Sequence, residues 1–186
     1  NDGWWNRPPQ VRYVRASIYD TAEQALNAFD TQSVDIAMTR SINASRYSGS
    51  LNTFSITART RQLEVLLVNR AYKDFKSDDN GQNLLRQAIS YAINRSELIS
   101  SAYQNMATVA YTPIPSGTWL SNESTIRDIY DPLMAASLLD SAGYKLPDDG
   151  NRYKDGKKME SLRLLVYDEP GSTARTNAAN KIVDQL

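Results

Sequence analysis

The chain contains no cysteine and no histidine. Without cysteine it has no disulfide framework and no thiolate metal site. Without histidine it lacks the commonest general base and the commonest transition-metal ligand. A Ser-His-Asp triad, a Cys-His dyad and a histidine-based zinc site are therefore excluded within this chain. We predict that the protein is not an enzyme and that it carries no metal and no cofactor.

Net charge and long apolar runs are also absent. Lysine plus arginine number 21 and aspartate plus glutamate number 21 among 186 residues, so no net positive field attracts nucleic acid or anionic lipid. No apolar run approaches the roughly 20 residues that a bilayer-spanning helix requires. We therefore predict one domain by length, no nucleic-acid partner for these residues and no membrane span.

Strand and helix patterns alternate along the chain. Strands are predicted for four segments rich in apolar and β-branched residues, namely 11–19, 34–39, 63–69 and 161–167. A helix with a capping box formed by Asp20 and Glu23 is predicted after the first strand. The pattern predicts an α/β fold, with a parallel βαβ unit over residues 11–39 and a strand at 63–69 that is covered on both faces.

Residues 84–99 predict two helices placed end to end. An apolar stripe runs to Ile93, and Asn94 with Glu97 three residues later predicts the capping box of a second helix. Arg95 follows the junction, where it pairs with a neighbouring acid or binds a ligand carboxylate; we favour the ion pair. The two helices are therefore interpreted as scaffold.

The next helix has the clearest boundaries. Asp131 predicts its cap, Pro132 its first turn, and Gly143 a left-handed end with Tyr144 packing back. Its predicted buried face consists of Leu133, Ala136, Leu138 and Leu139. Two Asp-Gly turns around a short pair of strands follow in residues 148–158. The aspartates there are interpreted as turn residues rather than calcium ligands, because the spacing lacks the EF-hand pattern.

Two other regions carry weaker signals. Residues 40–61 contain four arginines and no acid, which indicates either a solvated connection or a surface for an anion, and we favour the connection. The chain starts at Asn1 without a methionine, and its last helical pattern stops at Leu186 without a terminating residue. We expect it to be a piece of a longer protein.

The order of motifs is distinctive. It runs LLRQAISYAINRSELI, then YTPIP, then YDPLMAASLLDSAGY, then DDGNRYKDGKKMESLRLLVY. Near the start, NDGWWNRPPQVRYVRASI resembles an Asn-x-x-Tyr/Trp-Trp sequence leading into a strand, and VDIA a strand ending in Asp-Ile. Taken together, the set resembles the bacterial extracellular solute-binding proteins of family 5, which are the dipeptide and oligopeptide receptors of ABC importers.

The resemblance implies a receptor with two α/β lobes. Residues 1–186 would form part of the second lobe, a type II periplasmic-binding-protein-like lobe with an incomplete mixed sheet flanked by helices. Residues 1–39 would be its first strand–helix–strand, 40–62 a polar connection and 63–186 the remaining α/β portion. The implied partners are a peptide or other small solute and the permease subunits. The implied location is extracellular or periplasmic, with a signal segment and a lipid anchor outside these residues.

A candidate ligand site follows the last predicted strand. Solutes bind beyond the carboxyl ends of strands in open α/β sheets, at helix N-termini, and the resemblance implies that this loop faces the cleft. The candidates are Tyr167, Asp168, Glu169, Gly171, Ser172 and Thr173, with Trp119 as a further aromatic group. Dipeptide receptors of the family place an arginine there, whereas this sequence has Glu169, which favours a peptide amino group or a cationic solute. Alternatively, Asp168 and Glu169 are turn residues beside Pro170.

Two alternatives to transport remain at this point. One is a solute-sensing domain of a transcription regulator with the same fold, which a preceding helix-turn-helix would indicate, whereas a signal peptide would indicate transport. The other is an enzyme using the carboxylate pairs Asp78–Asp79 or Asp148–Asp149. We disfavour the enzyme because both pairs lie in predicted turns without a convergent partner.

Overall fold

The computed structural model of the protein describes residues 10–76, 83–121, 130–168 and 170–186. Within these ranges lie helices α1 (Ala22–Asp30), α2 (Leu84–Ala92), α3 (Arg95–Ala102), α4 (Pro132–Ser141) and α5 (Ala174–Gln185). Two 3₁₀ helices span Ile42–Tyr47 and Lys73–Phe75, and strands β1 (Tyr153–Lys154) and β2 (Lys157–Lys158) form an antiparallel pair. None of the described helices is both long enough and apolar enough to cross a bilayer.

The prediction of an α/β sheet is wrong for the described residues, whose regular secondary structure is mostly helical with a single two-stranded sheet. The four segments predicted as strands have no regular secondary structure. Most of their apolar side chains are exposed, among them Ile18 at 97%, Met38 at 95% and Leu165 at 90%. The βαβ unit is therefore not formed, and segment 63–69 is not covered on both faces. A strand needs a partner for its backbone groups, and a sequence pattern does not supply one.

The N-cap of helix α1 lies one residue later than predicted. Thr21 is the N-cap, and its hydroxyl accepts a hydrogen bond from Gln24 N at 3.2 Å, while Gln24 Oε1 accepts one from Thr21 N at 3.3 Å. The capping box is real, but Thr21 and Gln24 form it instead of Asp20 and Glu23. Glu23 instead pairs with Arg46 of the first 3₁₀ helix at 3.1 Å.

Helices α2 and α4 pack together around one part of the core. Leu85 and Ala88 of α2 and Ala135 of α4 are all at least 95% buried. The amide of Asp131 donates to the carbonyl of Tyr91 at 2.9 Å, which ties the start of α4 to α2. The predicted face of α4 is partly wrong: Leu133 is 83% exposed, because Ala135 lies on the buried side in its place.

The junction between α2 and α3 is held by α5. Asn94 caps α3 as predicted, accepting from Glu97 N at 3.0 Å. The return half of the predicted capping box comes from elsewhere, since Asn94 N donates to Gln185 Oε1 at 3.1 Å. Glu97 is bound to Lys181 Nζ at 2.6 Å and to Gln185 Nε2 at 2.9 Å. Two residues of α5 thus fix the angle between the paired helices.

The predicted end of α4 is confirmed. Gly143 has φ +88°, a left-handed conformation, and Tyr144 after it is 96% buried. The Asp-Gly turn between β1 and β2 is also confirmed, with Asp155 at φ 52° and Gly156 at φ 71°, the combination that a two-residue hairpin requires. Lys145 pairs with Tyr153 beside this hairpin, so the segment after α4 folds back on it.

Candidate functional site

Tyr167 is the most clearly positioned of the predicted site residues. It lies in the segment between β2 and α5, whose described residues have no regular secondary structure. The guanidinium carbon of Arg175 lies 3.9 Å from the centroid of its ring, which is a close cation–π contact. Tyr167 nevertheless remains 66% exposed. The ring is therefore held on one side and accessible to solvent on the remainder.

Arg175 is itself fixed by Glu64. Its Nε donates to Glu64 Oε2 at 3.0 Å and its Nη2 donates to Oε1 at 2.6 Å. This two-pronged geometry matches a guanidinium to a carboxylate and orients both planes. The arginine side chain is 11% exposed. The segment around residue 64 is thereby linked to the first turn of α5.

The rest of the predicted loop leads into the N-terminus of α5. Gly171 has φ +80°, which favours glycine, and it is exposed like Asp168. Thr173 is the N-cap, but its side chain makes no capping hydrogen bond, and its hydroxyl lies 3.5 Å from Asn177 Nδ2. Ser172 is half-buried. Glu169 lies outside the described residues, so its predicted role as the acidic group of the loop stays a prediction.

Trp119 is not brought to this loop by any contact within the described part of the chain. It is 91% exposed in a separate loop. Two residues after Trp119, Ser121 lines a cavity of about 100 Å³. Its other lining residues are Thr60, Gln62, Leu63, and residues 108–112 and 114–116. This volume is well below the roughly 300 Å³ of a typical small-molecule pocket. Leu63 of this cavity directly precedes Glu64, which binds Arg175 beside Tyr167. The cavity and the Tyr167–Arg175 contact therefore share one chain segment.

The carboxylate pairs considered for an enzyme do not form a reactive site where the structure describes them. Asp149 accepts hydrogen bonds from Asn151 N at 3.0 Å and from the Tyr153 hydroxyl at 2.8 Å, and these bonds hold the pKa of Asp149 below its ordinary value. This is a turn stabilised by its own aspartate. Asp78 and Asp79 lie outside the described residues. Across the described ranges no group of three or more metal-binding side chains occurs.

Sequence reasoning missed Arg175 and Glu64. Neither residue belongs to a motif, and they are separated by 111 positions. Arg175 lies in the first turn of α5, where the helix dipole does not favour a cation. This unfavourable position was the only signal in the sequence that Arg175 has a partner elsewhere. Their pairing depends on how the segment around residue 64 and helix α5 are placed in space.

Comparison with known proteins shows that the chain is part of a solute-binding protein. More particularly, residues 1–186 match the family model described as bacterial extracellular solute-binding proteins, family 5 middle, and the chain belongs to this family. The resemblance inferred from the order of motifs is therefore confirmed. The family consists of binding proteins, which also confirms the prediction that the chain is not an enzyme.

Similar proteins carry different solute names. The chain is 34% identical over 90 residues to Heme-binding protein A of Haemophilus influenzae, covering 46% of this chain and 16% of that protein. It is 24% identical over 165 residues to the Nickel-binding periplasmic protein of Escherichia coli K12, covering 86% and 30%. It is 26% identical over 146 residues to the Dipeptide-binding protein of the same organism, covering 76% and 26%. The chain thus spans less than a third of the length of each of these relatives.

Proposed function

We propose that the chain forms part of the second lobe of an extracellular receptor that delivers an oligopeptide to an ABC importer, and that the loop formed by residues 167–173 contacts the solute. The observation that carries the proposal is the exposed Tyr167, held by Arg175 just before the N-terminus of α5. Family membership supports it, and so does the location that the family description gives. That extracellular location favours a receptor over the alternative of a cytoplasmic sensing domain.

A peptide is favoured over the other solutes named among the relatives. Imidazole and thiolate suit nickel, and this chain has no histidine and no cysteine, so these residues offer nickel neither ligand. The described residues of the loop offer the hydroxyls of Ser172 and Thr173 and the carboxylate of Asp168. These are the groups that hydrogen-bond a peptide backbone and its amino group. The similarity to a dipeptide-binding protein over 76% of the chain agrees with this choice.

The test is calorimetry with a peptide library on the 186-residue chain and on the longest natural polypeptide that contains it. We expect micromolar binding by the longer polypeptide and negligible binding by the chain alone, because a cleft between two lobes needs both walls. Micromolar binding by the chain alone would contradict the two-lobed arrangement.

The loop is tested separately with Asp168→Asn. We expect binding of a peptide with a free amino group to weaken by about threefold or more, because a charge-assisted hydrogen bond is lost. Asp148→Asn is the matched control, since Asp148 is an exposed aspartate outside the loop. Equal effects of the two substitutions would show that the loop does not contact the solute amino group.

A further inference from the structure

We propose that Tyr167 is a stacking platform for a flat aromatic or conjugated group of the solute. The inference rests on the proposed function of loop 167–173 and deepens it by naming a class of solute. The proposed stacking surface is the face of the Tyr167 ring opposite Arg175. The other face is occupied, because the guanidinium carbon of Arg175 lies 3.9 Å from the ring centroid.

The platform is supported by an ion pair. The two hydrogen bonds between Arg175 and Glu64, at 3.0 Å and 2.6 Å, fix the plane of the guanidinium. A fixed guanidinium beneath the ring limits the orientations open to Tyr167. A ring that is already oriented loses less conformational entropy when a ligand stacks on it. Residues distant in sequence thus make one exposed tyrosine more rigid than an isolated surface ring.

The accessible part of Tyr167 is large. Although Arg175 lies over one face of the ring, 66% of the residue is still exposed in the described part of the chain. Tyr13 provides a comparison. It is 82% exposed, and the guanidinium of its sequence neighbour Arg12 lies at 5.7 Å, beyond the close contact seen at Tyr167.

The cation beneath the ring selects the chemistry above it. A ring attracts a cation through its quadrupole, and Arg175 already uses that attraction. A second cation on the opposite face would be repelled by the first. A flat π system meets no such repulsion and gains the dispersion and offset stacking of an aromatic pair. The geometry therefore favours an aromatic peptide side chain or a conjugated macrocycle, and the two sources share the same chemistry.

The experiment measures dissociation constants by calorimetry on the longest natural polypeptide that contains the chain. The probes are the dipeptides Ala-Trp and Ala-Leu, which differ only in the second side chain, and a water-soluble porphyrin. An aromatic pair contributes about 0.5–1.5 kcal/mol beyond area burial, which corresponds to about a 2- to 13-fold tighter dissociation constant for Ala-Trp. We expect Tyr167→Leu to remove this preference while Ala-Leu binding is retained, and Tyr167→Phe to keep it.

Matched variants separate the platform from general damage. Tyr13→Leu removes another exposed tyrosine and should leave the preference intact. Glu64→Gln should reduce the preference without abolishing it, because the ring remains but its support is weakened. Thermal melts confirm that each variant is folded.

Each outcome is decisive. Equal affinity for the two dipeptides in the unmodified protein, or a preference that survives Tyr167→Leu, overturns the platform and leaves the receptor function standing. Porphyrin binding that depends on Tyr167, without dipeptide binding, supports the platform and overturns the peptide as solute. Absence of binding to every probe and to the peptide library contradicts both the platform and the proposed function.

Discussion

Replacing Gly143 by valine tests the termination of α4. The helix ends in a paired arrangement in which Tyr144 N donates to Leu139 O at 2.9 Å and Gly143 N donates to Asp140 O at 3.1 Å. The bond from Tyr144 N requires residue 143 to be left-handed, and Gly143 has φ +88°. This is the Schellman arrangement, which satisfies carbonyls that the helix leaves without partners.

The expected cost comes from the backbone rather than from crowding. A Cβ at residue 143 would lie 3.8 Å and 3.9 Å from two carbons of the Lys154 side chain, which is ordinary van der Waals contact. The left-handed conformation itself costs an L-residue roughly 1–2 kcal/mol, and a β-branched residue tolerates it worst. We therefore expect Gly143→Val to destabilise the chain by more than ~1 kcal/mol, equivalent to a fall in Tm of about 2–4 °C per kcal/mol for a domain of this size.

The assay is urea denaturation followed by circular dichroism, with thermal melts alongside. Gly143→Asn is the control, because asparagine tolerates the left-handed conformation and should cost less than valine. The reasoning is refuted if valine and asparagine have equal effects, or if valine leaves the denaturation midpoint unchanged. Either result would mean that α4 ends elsewhere in solution.

Three further predictions follow from the described contacts. The Lys181 ammonium and the Gln185 amide hold the pKa of Glu97 below its ordinary 4.5, so this contribution to stability is present above that value and is lost as the pH falls below it. The pKa values of Glu23 and Asp149 are lowered as well, so the loss of stability in melts from about pH 7 to about pH 3 should be smaller in Glu97→Gln than in the unmodified chain. Leu26→Ala removes a side chain that is 98% buried and should cost about 2–5 kcal/mol by urea denaturation, whereas the exposed Leu133→Ala should cost less than about 0.5. Burial raises the pKa of Tyr144 to about 12, so stability should fall as the pH rises above 10.0. The pKa values of Tyr47, Tyr72 and Tyr153 are raised as well, so alkaline melts of Tyr144→Phe should show a smaller loss than the unmodified chain.

Helix boundaries were predictable because their causes are local. The cap at Asp131 and the left-handed end at Gly143 each depend on hydrogen bonds between residues at most five positions apart. Even the error at α1 was small, since Thr21 and Gln24 satisfy the same motif as Asp20 and Glu23. At the second junction the local signal was incomplete, because Gln185 supplies an acceptor that sequence spacing assigned to Glu97.

The sheet was not predictable in the same way. Alternation of apolar residues shows which segments favour an extended backbone, and the segments around Ile18, Met38 and Leu165 do lack helix. A ladder requires a second strand at about 4.8 Å, and the sequence of one segment carries no information about its neighbour. In the described residues these segments remain exposed instead of forming a sheet.

The sequence by itself determined the family, the absence of cysteine and histidine chemistry, and the starts and ends of most helices. These properties depend on composition, on the order of motifs, and on hydrogen bonds between residues a few positions apart. Only the tertiary structure decided that α5 holds the α2–α3 junction and that Glu64 and Arg175 together orient Tyr167. Hydrogen bonds and ion pairs act over a few ångströms of space, whereas Asn94 and Gln185 lie 91 positions apart along the chain and Glu64 and Arg175 lie 111 apart.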